Sequence, residues 1–145
     1  MRWGGRGKRM VRKKLLRRGA VVVLAVVAIA AVGCARRGPL KVSTIQTGKS
    51  LNSDNSVGEH TTRFKGQDTI YVAVLTEGPG AGTLSARWTY VGRLVSEDSR
   101  KVSYSDSAAT EFHIKNSSGF PPGDYAVEVL LDGKPVETRN LKVEK

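Results

Sequence analysis

Thr83-Leu84-Ser85-Ala86-Arg87-Trp88-Thr89-Tyr90-Val91 is the stretch that decides the fold. Leu84, Ala86, Trp88 and Tyr90 share one side of an extended chain, while Ser85, Arg87 and Thr89 share the other. That period of two belongs to a strand with one face in a core. Working outward, Thr110, Phe112 and Ile114 oppose Glu111 and His113, and Tyr125, Val127 and Val129 oppose Glu128. The pattern predicts strands at 41–47, 68–76, 83–91, 100–105, 109–115, 124–131 and 135–143. Between them lie the Gly, Pro, Asn, Asp and Ser that turns require. No stretch beyond Cys34 keeps a helical period, so two packed antiparallel sheets follow. Asp132-Gly133 is a favoured two-residue hairpin turn. Closing it sets Val129 opposite Val136 and leaves Leu141 and Val143 on the other face, which predicts a bulge near Arg139-Asn140.

These strands resemble an immunoglobulin-like sandwich. Trp88 stands on the third strand, where that fold usually has its core tryptophan. Gly123-Asp124-Tyr125 resembles the approach to its tyrosine corner, with Val127 two residues later in the place of the second cysteine of antibody domains, and Val72 or Val74 in the place of the first. The run from Phe120 to Val143, through Pro121-Pro122-Gly123-Asp124-Tyr125 and Leu131-Asp132-Gly133-Lys134, is similar to the last hairpin of many bacterial envelope sandwich domains. The resemblance implies an all-β, immunoglobulin-like antiparallel β-sandwich of about seven strands, and a binding or scaffold role in place of chemistry.

Upstream the chain changes character. Arg12, Lys13, Lys14, Arg17 and Arg18 precede fourteen apolar or small residues from Gly19 to Val32, the order of an export signal. Charge of that sign stays on the cytoplasmic side. Seventeen uncharged residues, Gly19 to Ala35, lie at the lower limit for a spanning helix. The run ends in Ala30-Ala31-Val32-Gly33-Cys34, which resembles the lipobox of bacterial lipoproteins. Ala31, Val32 and Gly33 fill the signal-peptidase recognition positions and Cys34 the lipid acceptor, although Ala31 stands where the family usually has Leu or another branched aliphatic residue. The resemblance implies cleavage before Cys34 and acylation of its sulfur. Met10 is an alternative start, and Arg17-Arg18 lacks the bulky apolar follow-up of twin-arginine export.

Charge must be divided at the same place. The 145-residue chain carries a formal +11, but nine of its twenty-four Lys and Arg precede Gly19 and its first acidic residue is Asp54. From Cys34 onward fifteen basic residues face thirteen acidic ones. The basic balance therefore belongs to the signal and argues against a nucleic-acid partner. One cysteine leaves no internal disulfide, so the 111 residues after Cys34 must fold on core packing alone. Arg36 and Arg37, in the short tether, are candidate contacts with a membrane surface.

Chemistry-bearing clusters are sparse. His60 and His113 lack metal-ligand spacing, and His113 reads as a solvent-facing strand residue. Ser96, Ser99, Ser103, Ser105 and Ser107 read as edge-strand and turn polarity, with Val102–Ser107 a candidate edge for strand addition. Gly78-Pro79-Gly80-Ala81-Gly82 lacks the ending of a phosphate loop and reads as a mobile hairpin connection. Asn52, Asp54, Asn55 and Glu59 match no calcium loop and read as a flexible connection. Tyr71, Trp88, Tyr90 and Tyr104 are the aromatics available for stacking, with Trp88 and Tyr90 assigned to the core.

The sequence thus predicts a signal peptide at 1–33 containing an N-terminal signal helix, a lipidated cysteine and tether at 34–40, and an immunoglobulin-like domain at 41–145. Its expected role is a non-catalytic binding or accessory module on the extracytoplasmic side of a bacterial envelope, held to the membrane through its N-terminal lipid. An envelope protein is the expected partner, and no cofactor, metal or nucleic acid is expected. The alternatives are a carbohydrate- or cell-wall-binding module with exposed coplanar aromatics, or an uncleaved single-span protein.

Overall fold

The computed structural model describes residues 37–145. Ala31, Val32, Gly33, Cys34, Arg36 and the predicted signal helix lie outside the described residues. Eight strands follow: β1 Val42–Gly48, β2 Arg63–Lys65, β3 Ile70–Thr76, β4 Gly80–Tyr90, β5 Arg93–Tyr104, β6 Ala108–Ile114, β7 Gly123–Leu131 and β8 Lys134–Glu144. They form two sheets, ordered β1-β3-β6 and β2-β8-β7-β4-β5. All pairings are antiparallel except that of β2 with β8.

The alternation read from the sequence is what closes the sandwich. Leu84, Ala86 and Trp88 of β4 meet Val127, Val129 and Tyr125 of β7 on the inner face of the larger sheet, and Ile45, Ile70, Val72, Val74 and Phe112 cover them from the smaller one. Trp88 is 1% exposed and Phe112 fully buried. Each such side chain contributes about 1.5–3 kcal/mol by leaving water, which lets a domain without a disulfide hold together.

Four expectations are corrected. Phe64, 1% exposed, carries the three-residue β2 into the core, and β2 pairs parallel with the end of β8. A three-residue element shows no period, so the alternation could not reveal it. The connection expected to be a mobile hairpin at 78–82 is not a hairpin: β3 and β4 lie in different sheets, and Gly80–Gly82 opens β4. The final hairpin does turn at Asp132-Gly133, and a bulge is present, but it falls at Val136, because Leu130 pairs Pro135 and Val129 pairs Glu137. The early bulge leaves Val136 exposed and returns Leu141 and Val143 to the core face. Residues 49–62, expected to be a flexible connection, form a hydrogen-bonded excursion. Its Leu51–Val57 bridge is closed by Asn52 N–H to Ser56 O at 2.8 Å, and buried Val57 donates to Gln46 Oε1 at 3.0 Å.

The tether also becomes ordered earlier than expected. Ala81 N–H donates to Gly38 O at 3.0 Å, Leu40 N–H donates to Ala81 O at 3.2 Å, and Leu40 is buried. Gly80 permits this, since a Cβ there would lie 2.7 Å from Leu40 Cα. The strap 38–40 therefore joins the domain beside the start of β4 and the end of β5.

Candidate functional site

The opposite end of the larger sheet carries the candidate site. There β4 turns into β5 through Val91-Gly92, β7 begins at Gly123, and the β6–β7 connection crosses above. At roughly 3.3 Å per residue, the eleven residues of β4 separate this end from the strap by about 33 Å.

An aromatic cluster forms its floor. The rings of Tyr90 and Tyr125 lie 4.6 Å apart, and Phe120 meets Tyr125 edge-on at 5.8 Å. Tyr125 donates its hydroxyl to Pro121 O, four residues upstream, at 2.9 Å, and Tyr90 donates to Pro122 O at 3.1 Å. Burial, and then neighbouring Tyr90, push the Tyr125 phenol above its ordinary pKa, so it remains a protonated donor near neutrality. Gly123, at φ 144°, keeps this packing open, because a Cβ would come 3.0 Å from the Tyr90 ring. Val91 N–H donates to Asp124 O at 2.9 Å and ties the turn to β7.

A groove of about 690 Å³ opens above this floor, between Val95 and Ser96 of β5 and the 113–117 stretch. Val95 lines it and is 52% exposed, while Val91 and Leu94, 68% and 58% exposed, lie at the same end of the sheet, Leu94 on the face of its partner Thr89; among the described residues they account for three of the four large hydrophobics left in water, the fourth being Val136. Two local causes put them there. Val91 takes the left-handed conformation, φ 47°, that the two-residue turn demands, a conformation that a β-branched residue adopts at a cost. Val95 is the extra residue of a bulge, since Trp88 pairs Ser96 while Thr89 pairs Leu94. The sequence reading ended a strand at Val91 and began the next at Arg100, and so missed this end. The signal was Val91-Gly92 between apolar runs, obscured because valine is a poor turn residue and Leu94-Val95 breaks the alternation.

The residues singled out from sequence are spread over the domain. Arg37 is exposed and donates from Nη1 to Ser103 Oγ at 2.6 Å, at the strap end. His113 faces solvent on β6 beside Glu111, 3.0 Å away, and Tyr71. Asp54 is held below the usual carboxylate range by hydrogen bonds from Ser56, a local turn contact. Among the described residues no group of three or more His, Cys, Asp or Glu side chains converges. Trp88 is buried and Tyr90 has its hydroxyl tied to the backbone, so neither joins an exposed coplanar platform. Tyr104 bonds Thr110 Oγ1 at 2.6 Å.

The Tyr125 bond to Pro121 O is the tyrosine corner, and it decides the architecture together with the buried tryptophan on β4. The domain is an immunoglobulin-like β-sandwich. In that fold's lettering, β1, β3 and β6 are strands A, B and E, and β4, β5, β7 and β8 are C, C′, F and G. Val72 and Val74, both buried on β3, and Val127 on β7 occupy the cysteine-bearing strands.

Solved structures are similar to it. An immunoglobulin-like protein from Pseudomonas aeruginosa matches 74% of this chain and 98% of its own, at 9% identity and a TM-score of 0.50. A cycloisomaltooligosaccharide glucanotransferase from Paenibacillus sp., complexed with cycloisomaltoheptaose, matches 74% of this chain at 13% identity and a TM-score of 0.54; the chain spans only 14% of the length of that enzyme. No protein-family model and no curated protein matches the chain.

Proposed function

We propose that this protein is a non-catalytic binding or accessory module of the bacterial cell envelope, lipid-anchored through Cys34 and presented on the extracytoplasmic side of the membrane. The observation that carries the binding reading is the groove over the Tyr90, Phe120 and Tyr125 rings, with exposed Val95 in its wall, at the end of the domain remote from the strap. A tethered domain benefits from that placement, because the linker does not crowd the occupant. Its floor is aromatic and its wall mixes Val95 with Ser96, Asn116 and Ser117, which suits the side chains of a protein partner. In this reading residues 1–33 are the signal peptide and Ala31, Val32 and Gly33 its recognition site. Acylation at Cys34 confines the domain to a surface and raises its local concentration near a membrane-bound partner. Arg36 and Arg37 then lie within reach of anionic headgroups, where each cation near the surface contributes about 1 kcal/mol.

The test is site-specific photocrosslinking in the native host, with the reactive residue placed in turn at Val91, Asn116 and Thr138. The proposal expects one heterologous adduct shared by positions 91 and 116 and absent at 138, on the outer side of β8. Adducts at all three positions alike, or none, would overturn it.

A further inference from the structure

β5 is twelve residues long, and among the described residues its outer edge pairs with no strand. A long exposed edge is normally blunted by charges, and β5 carries five. Their order is unusual. Glu97-Asp98-Ser99-Arg100-Lys101 read backwards places a base wherever the forward reading has an acid. The same edge, turned half a revolution about an axis through Ser99, is its own electrostatic complement.

The axis can be narrowed from geometry. In an antiparallel pair, directly opposed residues lie on the same face of the sheet. A two-fold axis perpendicular to the sheet must therefore pass through a residue, which then faces its own copy. Centring on Glu97, Asp98, Arg100 or Lys101 sets like charges face to face, which is destabilising. Centring on Ser99 instead opposes Glu97 with Lys101 of the second copy and Asp98 with Arg100, and each contact occurs twice. Val95, the bulged residue, ends the regular ladder, which then runs from Ser96 opposite Val102 to Val102 opposite Ser96.

We propose that β5 is the interface for a second copy of this chain, joined edge to edge and antiparallel about Ser99 into one ten-stranded sheet. The side chains are placed for it. Glu97, Ser99 and Lys101 are exposed on the outer face, and Lys101 forms no ion pair among the described residues. Asp98 accepts from the Ser99 N–H at 2.9 Å and lies 3.5 Å from Arg100 of its own strand. Arg100 lies over the Phe112 ring, 4.9 Å from its centre, and 3.4 Å from Glu111, which orders the guanidinium against β6. An isologous contact of this kind closes on itself and does not propagate into a fibre. It stands whether or not Cys34 is lipidated, and it meets the groove only at Ser96, the last paired residue, leaving Val91 and Asn116 outside the ladder.

Disulfide trapping of the full chain tests this. Ser99→Cys places two thiols across the axis, at the close Cα separation of opposed strand residues. Mild oxidation should give a reducible dimer in the membrane fraction, or with purified chain if the protein proves soluble, beyond any background from Cys34 in the unsubstituted chain. Ser107→Cys, outside the ladder, should not. Adding Lys101→Glu, which opposes Glu97 of the copy twice, should lower the yield about tenfold, and Glu97→Lys with Lys101→Glu should restore it, Arg87 keeping Glu128 as a neighbour at 3.8 Å. Because Lys101 makes no ion pair among the described residues, loss in that variant reports on the interface. A dimer trapped equally at positions 99 and 107, no dimer at 99, or a yield indifferent to Lys101→Glu would each overturn the proposal.

Discussion

Single residues decide how this domain tolerates its own function. Val91 holds φ 47° with a β-branched side chain two-thirds exposed, a strain of roughly 1–2 kcal/mol relative to a residue at ease there. Val91→Asn should therefore raise the unfolding free energy by about 1 kcal/mol in urea titration; a destabilised variant would contradict this. Trp88 is the converse case, where Trp88→Ala should cost about 3–5 kcal/mol by the same titration. Two side chains contribute to the pH dependence of stability. The Lys65 amide, with Lys49 3.0 Å away, holds the Asp68 carboxyl below the usual range. Its contribution is present above the unfolded pKa and is lost as pH falls through the lower folded value, so Asp68→Asn should flatten the acid limb of the stability curve below about pH 4. Tyr125 has the opposite sign: its phenol is raised, so stability is full below about pH 10 and declines above it. Tyr125→Phe should remove that alkaline limb and, with the bond to Pro121 O, about 1 kcal/mol at neutral pH.

At the scale of elements, what was legible followed from period and what was not followed from interruption. β4, β6 and β7 alternate cleanly, and their buried faces are those that Leu84, Phe112 and Val127 announce. β5 was read only from Arg100, because its first residues combine a left-handed valine, adjacent Leu94 and Val95, and a bulge. β8 shows the same limit on a smaller scale. Its hairpin turn was readable from Asp132-Gly133 and its need for a bulge from Leu141 and Val143, but the position at Val136 is set by where β7 accepts a slip. The strap 38–40 was invisible, since its docking depends on a glycine eighty residues into the chain. Gly80→Val should push Leu40 off β4 and cost about 2 kcal/mol, read as a lower urea midpoint with unchanged slope; unaltered stability would mean that the strap contributes nothing.

For the molecule as a whole, the fold was legible in the sequence, while the proposed anchor rests on a different kind of signal. The sandwich follows from alternation distributed over a hundred residues, and it is matched by solved structures at identities too low to carry function. The anchor is read from a local run, Arg12 to Cys34, whose chemistry needs no fold. The candidate groove was legible by neither route, because its parts come from β4, β5, β7 and the β6–β7 connection and meet only in three dimensions. The proposal is that an immunoglobulin-like binding module is held at a membrane by lipid on Cys34. Intact mass and detergent-phase partitioning of the mature protein from its host, beside Cys34→Ser, tests that claim most directly. The account predicts a chain beginning at an acylated Cys34 that partitions into detergent, with the variant left unprocessed or soluble. An unmodified chain still carrying Met1 or Met10 would contradict it and make the apolar run a membrane anchor in its own right.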